Sequence, residues 1–121
     1  LGADVLFRFN RFDADQVLAE GRRQLDAAAE QLKAVQLDSV RVIGHTDPEG
    51  SEAYNARLSR QRAETVKALL VARGVPADKI SIEGRGEREP VVSCDRRRLQ
   101  GEKLNACNQP NRRVVIEFAY R

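Results

Sequence analysis

Two hydrophobic periods alternate along this chain, and that alternation constrains the fold more than any other feature. Val5-Leu6-Phe7-Arg8-Phe9 and Val40-Arg41-Val42-Ile43 are short apolar runs with strand character. Between them Val17, Leu18, Leu25, Ala28, Ala29, Leu32 and Val35 recur at three- and four-residue spacing. Such spacing lines one face of a helix, so residues 17–35 are predicted to be helical, with Asp13 or Asp15 as the cap. Gly44 stops the second strand. Ser51 or Glu52 opens a second helix with Ala56, Leu58, Ala63, Val66, Leu69 and Leu70 on its apolar side, and Gly74 and Pro76 end it. Residues 79–83 form a third strand with Ile80 and Ile82 pointing one way, and Gly84 and Gly86 mark a turn. Residues 113–119 alternate Val114, Ile116 and Phe118 against Arg113, Val115 and Glu117, which makes a last strand. Helices between strands imply crossover connections, which are almost always right-handed. The expected architecture is α/β: a two-layer sandwich with a mixed four-stranded sheet and its helices on one face, in the order β-α-β-α-β-loop-β. Residues 1–121 form one domain.

Composition narrows the function classes. The chain has 121 residues, 41% hydrophobic and 32% charged, which suits one soluble domain with a modest core. No apolar run approaches the roughly 20 residues of a membrane span, so a membrane enters only through a tether or domain outside this chain. Net charge is +3, with Arg96, Arg97 and Arg98 consecutive. This raises the expectation of an anionic partner, yet it is no dense basic stripe, and Arg96 to Arg98 read as solvated. With four Phe, two Tyr and no Trp, few rings are present to stack on bases, and no nucleic acid is expected.

Residues 87–111 read as a long polar connection holding Pro90, Pro110 and both cysteines, Cys94 and Cys107. Loops of this length in compact domains are functional or braced. Zinc needs about four ligands, and one histidine with two cysteines does not supply them. A disulfide that closes the loop in an oxidising compartment fits better. The alternative is a pair of free thiols in a reducing one.

The residues that carry chemistry lie within 44–62, GHTDPEGSEAYNARLSRQR. Asp47 sits in the turn after an apolar strand. Asn55 and Arg62 are seven residues apart, about two helical turns, so they project from nearly one face. Leu58 lies between them, as suited to the core as to a pocket wall. An acid and a guanidinium at two ends of a cleft match a ligand with both an ammonium and a carboxylate, as on a free amino-acid head group. Other readings are weaker. Asp47 before a proline can simply shape its turn. His45, Asp47 and Glu49 alternate but are too few to define a metal site. Ser59 lies mid-helix without a nucleophile elbow, and its hydroxyl is expected on the Asn55 carbonyl.

GHTDPEGSEAYNARLSRQRAETVKALLVARGV, IEGRGEREPV and CNQPNRRVVIEF together resemble the OmpA-like domain, over essentially the whole chain. The resemblance implies a periplasmic α/β sandwich, attached to the outer membrane of a Gram-negative bacterium. Its expected ligand is peptidoglycan, held by the meso-diaminopimelate of the stem peptide, with no cofactor and no catalysis. It implies Asp47 as the binding acid and Arg62 as the binding guanidinium, with Asn55 and Leu58 at matching helix positions. Thr46 belongs to the same turn. Arg112 of Asn111-Arg112-Arg113 is expected to border the pocket, and Asn10, at the end of the first strand, to lie near it. The main departure is the insert over residues 87–110. Reduction of its cysteines is expected to lower stability without abolishing binding. The rival classes are a peptidoglycan-processing enzyme and a basic anion- or nucleic-acid-binding module.

Overall fold

The computed structural model describes Gly2, Phe7 and residues 17–121. Helix α1 spans Ala19–Lys33, strand β1 Leu37–His45, helix α2 Glu52–Ala72, strand β2 Ile80–Gly84, helix α3 Gly101–Asn108 and strand β3 Arg113–Tyr120. Single 3-10 turns, Ala77–Lys79 and Gln109–Asn111, precede β2 and β3. The fold is mixed α/β. The described sheet has three strands in the order β2-β1-β3, with β1 parallel to β2 and antiparallel to β3. The strand expected over residues 5–9 lies outside the described residues apart from Phe7, which makes a single bridge to Val17. Asn10, Asp13 and Asp15 also lie outside them.

α1 is shorter than its periodicity suggested. Val17 is buried ahead of the helix in the bridge to Phe7, and Leu18, which has no side-chain oxygen, holds the cap position. Within the helix Leu25, Ala29 and Leu32 are buried on one face, with Glu20 in the first turn and Lys33 in the last, each complementing the helix dipole. α2 is capped by Ser51, whose hydroxyl accepts from the Tyr54 amide at 3.1 Å. At its far end Gly74 turns left-handed (φ 98°), the Gly74 amide reaches the Val71 carbonyl at 3.0 Å, and the Val75 amide reaches Leu70 at 3.1 Å. That double closure satisfies two orphan carbonyls, and the buried Val75 side chain seals it.

β1 is longer than its apolar run, because β3 carries Leu37, Ser39, Gly44 and His45 into the ladder, with a register break at Asp38, and β2 pairs Gly44 on the other edge. Val40 and Val42 join Leu25, Leu32, Val66, Leu70 and Val114 in one apolar cluster between sheet and helices. The opposite face is wet near Arg41 and Glu117, which pair across the strands at 2.9 Å with both side chains about half exposed. Along β3 the expected alternation holds for Val114 but fades toward the end, where Phe118 is 42% exposed.

The sheet and α2 approach most closely at the carboxyl ends of β1 and β2. A Cβ on Gly44 would lie 2.0 Å from the Ser59 carbonyl oxygen, and one on Gly84 would lie 2.6 Å from the Arg60 amide nitrogen. Only glycine allows this backbone-on-backbone contact. Ser59 seals it: the fully buried hydroxyl accepts from the Gly86 amide at 2.9 Å and donates to the Ala56 carbonyl at 2.9 Å, not to that of Asn55. The ladder runs on past the strands, through Arg85 to Gly44 at 3.0 Å and Thr46 to Gly86 at 2.8 Å.

Because the obstructing atoms are backbone, Gly44→Ala is expected to cost at least about 2–3 kcal/mol, the upper range for overpacking. Urea unfolding followed by circular dichroism measures this. An unchanged midpoint would show that the helix rides farther from the sheet than described.

Candidate functional site

The turn after β1 is held by hydrogen bonds within the chain. Asp47 Oδ1 accepts from the Glu49 amide at 3.0 Å, closing the turn on itself. Asn55 Nδ2 donates to the carbonyls of Asp47 at 3.2 Å and Glu49 at 3.0 Å. Asn55 is therefore the tie between helix and turn, which explains a residue of poor helix propensity in the second turn of α2. Gly50 supplies the positive φ of 92° that leads into the Ser51 cap.

A cavity of about 420 Å³ opens between this turn, the first half of α2 and the insert. Thr46, Asp47, Asn55, Leu58, Arg62 and Arg112, six of the candidate residues, all line it. Asn10 lies outside the described residues. Leu58 is buried but stands apart from the main apolar cluster, so its place is the pocket wall. Arg62 is 5% exposed, with its guanidinium carbon 5.3 Å above the centre of the Phe7 ring, a cation–π contact. Thr46 is buried, and its hydroxyl has no hydrogen-bond partner among the described residues.

The acid has a partner within the chain. Asp47 Oδ2 meets Arg112 at 2.7 Å, and both side chains are largely buried. Arg112 also donates to the Asn105 carbonyl at 3.1 Å. The arginine two places beyond Pro110 thus reaches the acid across the cavity mouth, and Arg62 forms a second, deeper cationic position. The three residues Asn111-Arg112-Arg113 divide the work. Asn111 is buried, accepts from the amides of Val91 at 2.8 Å and Val92 at 3.1 Å, and donates to the Val92 carbonyl and to Asn108. Arg113 donates to the Glu89 carbonyl at 3.0 Å.

The insert corrects two expectations. It is not an unstructured connection, because α3 and a 3-10 turn occupy residues 101–111. Nor is it remote from the site: Gly101, Leu104 and Asn105 form one wall of the cavity. Cys94 and Cys107 are bonded, with their Cα atoms 6.0 Å apart. Arg96 is exposed, as its sequence context predicts, and it also donates to the Pro48 carbonyl at 2.7 Å and pairs with Glu49 at 2.6 Å. Glu49, Gly50 and Tyr54 also line the cavity beyond the residues singled out by sequence. The first two could have been found from the turn itself. The α3 residues carry no such signal, since GEKLNACN offers one leucine and no helical repeat.

Among the described residues no three His, Cys, Asp or Glu side chains are placed to share a metal ion. Ser59 is engaged on both sides by backbone groups. His45 is 3% exposed beneath the turn, and its Nδ1 has no partner among the described residues. Burial, followed by the nearby Arg113 charge, holds its pKa below the ordinary 6.5.

The sign of that shift fixes a pH dependence. The folded state favours neutral His45, so its contribution to stability is complete above pH 6.5 and is lost as pH falls from there through the lower folded value. Glu83, lowered from 4.5 by its hydrogen bond to Arg85, acts in a separate window further down. Melting temperatures are therefore expected to drop between pH 7 and pH 5, and His45→Gln should flatten that drop. An identical pH profile for the variant would remove His45 as the cause.

A family model described as the OmpA family matches residues 7–103. Outer membrane protein A of Shimwellia blattae is 44% identical over 97% of this chain and 48% of its own length. The chain spans between 33% and 58% of the outer membrane protein A relatives that it matches. Among solved structures, the cell wall anchor of the T6SS from Pseudomonas aeruginosa superposes with a TM-score of 0.78 at 29% identity, covering 100% of this chain and 79% of that one. The peptidoglycan-associated lipoprotein from Burkholderia pseudomallei gives 0.73 at 25% identity, covering 95% and 88%.

Proposed function

The chain belongs to the OmpA family, and from that premise we propose that it is a non-catalytic module that holds peptidoglycan and anchors an outer-membrane protein to the cell wall from the periplasmic side. The observation that carries this reading is one cavity with an acid, Asp47, at its turn and two guanidinium groups, Arg62 and Arg112, in its walls. Names such as peptidoglycan-associated lipoprotein and cell wall anchor among the structural neighbours support it.

The ligand in this reading is the free head group of diaminopimelate in the stem peptide, which carries an ammonium and a carboxylate on one carbon. Asp47 already accepts from the Glu49 amide and from Arg112. A carboxylate offers about four lone-pair sites, so an ammonium can join without displacing either partner. The ligand carboxylate goes to the guanidinium groups, whose planar donors favour two-pronged bonds. Arg62 is the deeper of the two and reads it. The hydroxyl of Thr46 is a further polar group for the ligand. Attraction within a cavity open at one side is modest per stem, and many stems along a wall raise the effective strength.

Lysine in the same stem position keeps the ammonium but lacks the second carboxylate. Loss of one charge-assisted bond costs about 1.5–3 kcal/mol, so lysine-type stems should bind roughly ten- to a hundredfold more weakly. Arg62→Gln should erase most of that preference. Asp47→Asn should abolish retention on insoluble sacculi, with circular dichroism confirming the fold. Calorimetric titration with both stem peptides decides the first point. Equal affinities in the wild type would mean that the cavity reads another group, and full sacculus retention by Asp47→Asn would remove the charge pair from the mechanism.

A further inference from the structure

The insert touches the Asp47 turn by two routes. Close after Cys94, Arg96 donates to the Pro48 carbonyl and pairs with Glu49. Close before Cys107, the Asn105 carbonyl holds Arg112, which holds Asp47. Each contact lies two residues inside a bonded cysteine. The disulfide thus closes a ring whose two arms both end on one turn, and the same ring supplies Gly101, Leu104 and Asn105 to the cavity. No residue of this ring belongs to the apolar cluster between sheet and helices. Opening the ring therefore acts on the cavity wall and leaves the described core in place.

We propose that the Cys94–Cys107 bridge and Arg96 are positioning groups for ligand binding, so that the site holds its ligand tightly only while the bridge is oxidised. This rests on the ligand reading given above. The Arg96–Glu49 pair is 59% and 42% exposed, and such pairs contribute little by themselves because water screens them. The contact is effective when the ring has already ordered Arg96 before binding, since ordering then costs the ligand nothing further. Opening the bridge takes a dithiol reductant. It supplies two electrons, its two protons end on Cys94 Sγ and Cys107 Sγ, and it leaves as a cyclic disulfide.

The test is calorimetric titration with a muropeptide whose stem ends in meso-diaminopimelate. It compares the oxidised protein, the dithiothreitol-reduced protein, Cys94→Ser/Cys107→Ser, Arg96→Ala and Arg96→Lys. Opening the bridge either way should weaken binding about tenfold, the effect of one lost charge-assisted contact. Arg96→Ala in the oxidised protein should weaken it about threefold, in the range of an exposed ion pair, and Arg96→Lys should recover most of that. In the double-serine background Arg96→Ala should have a smaller effect, because the ring through which it acts is already open. Equal affinities in oxidised and reduced protein, with binding intact, overturn this inference alone. Loss of the cooperative melt on reduction also overturns it, since the bridge would then serve the fold. Failure of the oxidised wild type to bind sinks this inference and the ligand reading together.

Discussion

The contact between bare backbone on the sheet and bare backbone on α2 is the constraint from which the site follows. Gly44 and Gly84 have no side chains to hold the helix off, and Ser59 stitches the gap by bonding Gly86. The helix is thereby fixed in height and rotation at the strand ends. Asn55 and Leu58 then fall beside the turn that leaves β1, and Arg62 falls one turn deeper over Phe7. Side chains at Gly44 and Gly84 would push the helix outward and draw Asn55 away from the carbonyls of Asp47 and Glu49. The turn would then lose the tie that shapes it.

Electrostatics in the cavity are arranged as nested pairs. Asp47 is satisfied by a backbone amide and Arg112, Glu49 by Arg96, and Arg62 sits over an aromatic face. A buried carboxylate or guanidinium without such company would be strongly disfavoured. Pairing holds the acid in place while leaving lone pairs to spare. The cavity wall is thus held by contacts within the chain.

Much of this was legible in the sequence, for identifiable reasons. β1, α2 and β2 are written in local patterns: an apolar run stopped by Gly44, a capped amphipathic helix closed by Gly74, and alternating isoleucines. The Asp47–Asn55–Arg62 register followed from the same helix geometry. What was not legible is non-local. The pairing of Asp47 with Arg112 joins residues 65 positions apart. α3 is eight residues with a glutamine at its cap position, held by a disulfide and by Asn111 rather than by its own periodicity. The start of α1 was misplaced because Val17 is buried for a tertiary reason, its bridge to Phe7, and burial in sequence looks the same whether a helix or a bridge causes it.

The position of β3 has a temporal consequence. β1 is the central described strand, and one whole edge of it is completed by residues 113–120, the last of the described strands in sequence. Arg112, the partner of Asp47, directly precedes that strand. Neither the described sheet nor the cavity wall can therefore close until residues 112–120 are in place. Every earlier segment must wait with β1 half-paired, an exposed edge that can recruit other chains. Closure of the antiparallel pair brings together residues up to 83 positions apart, a long loop to close and so a slow step. The cavity wall is therefore complete only once β3 has docked on β1 and carried Arg112 to Asp47.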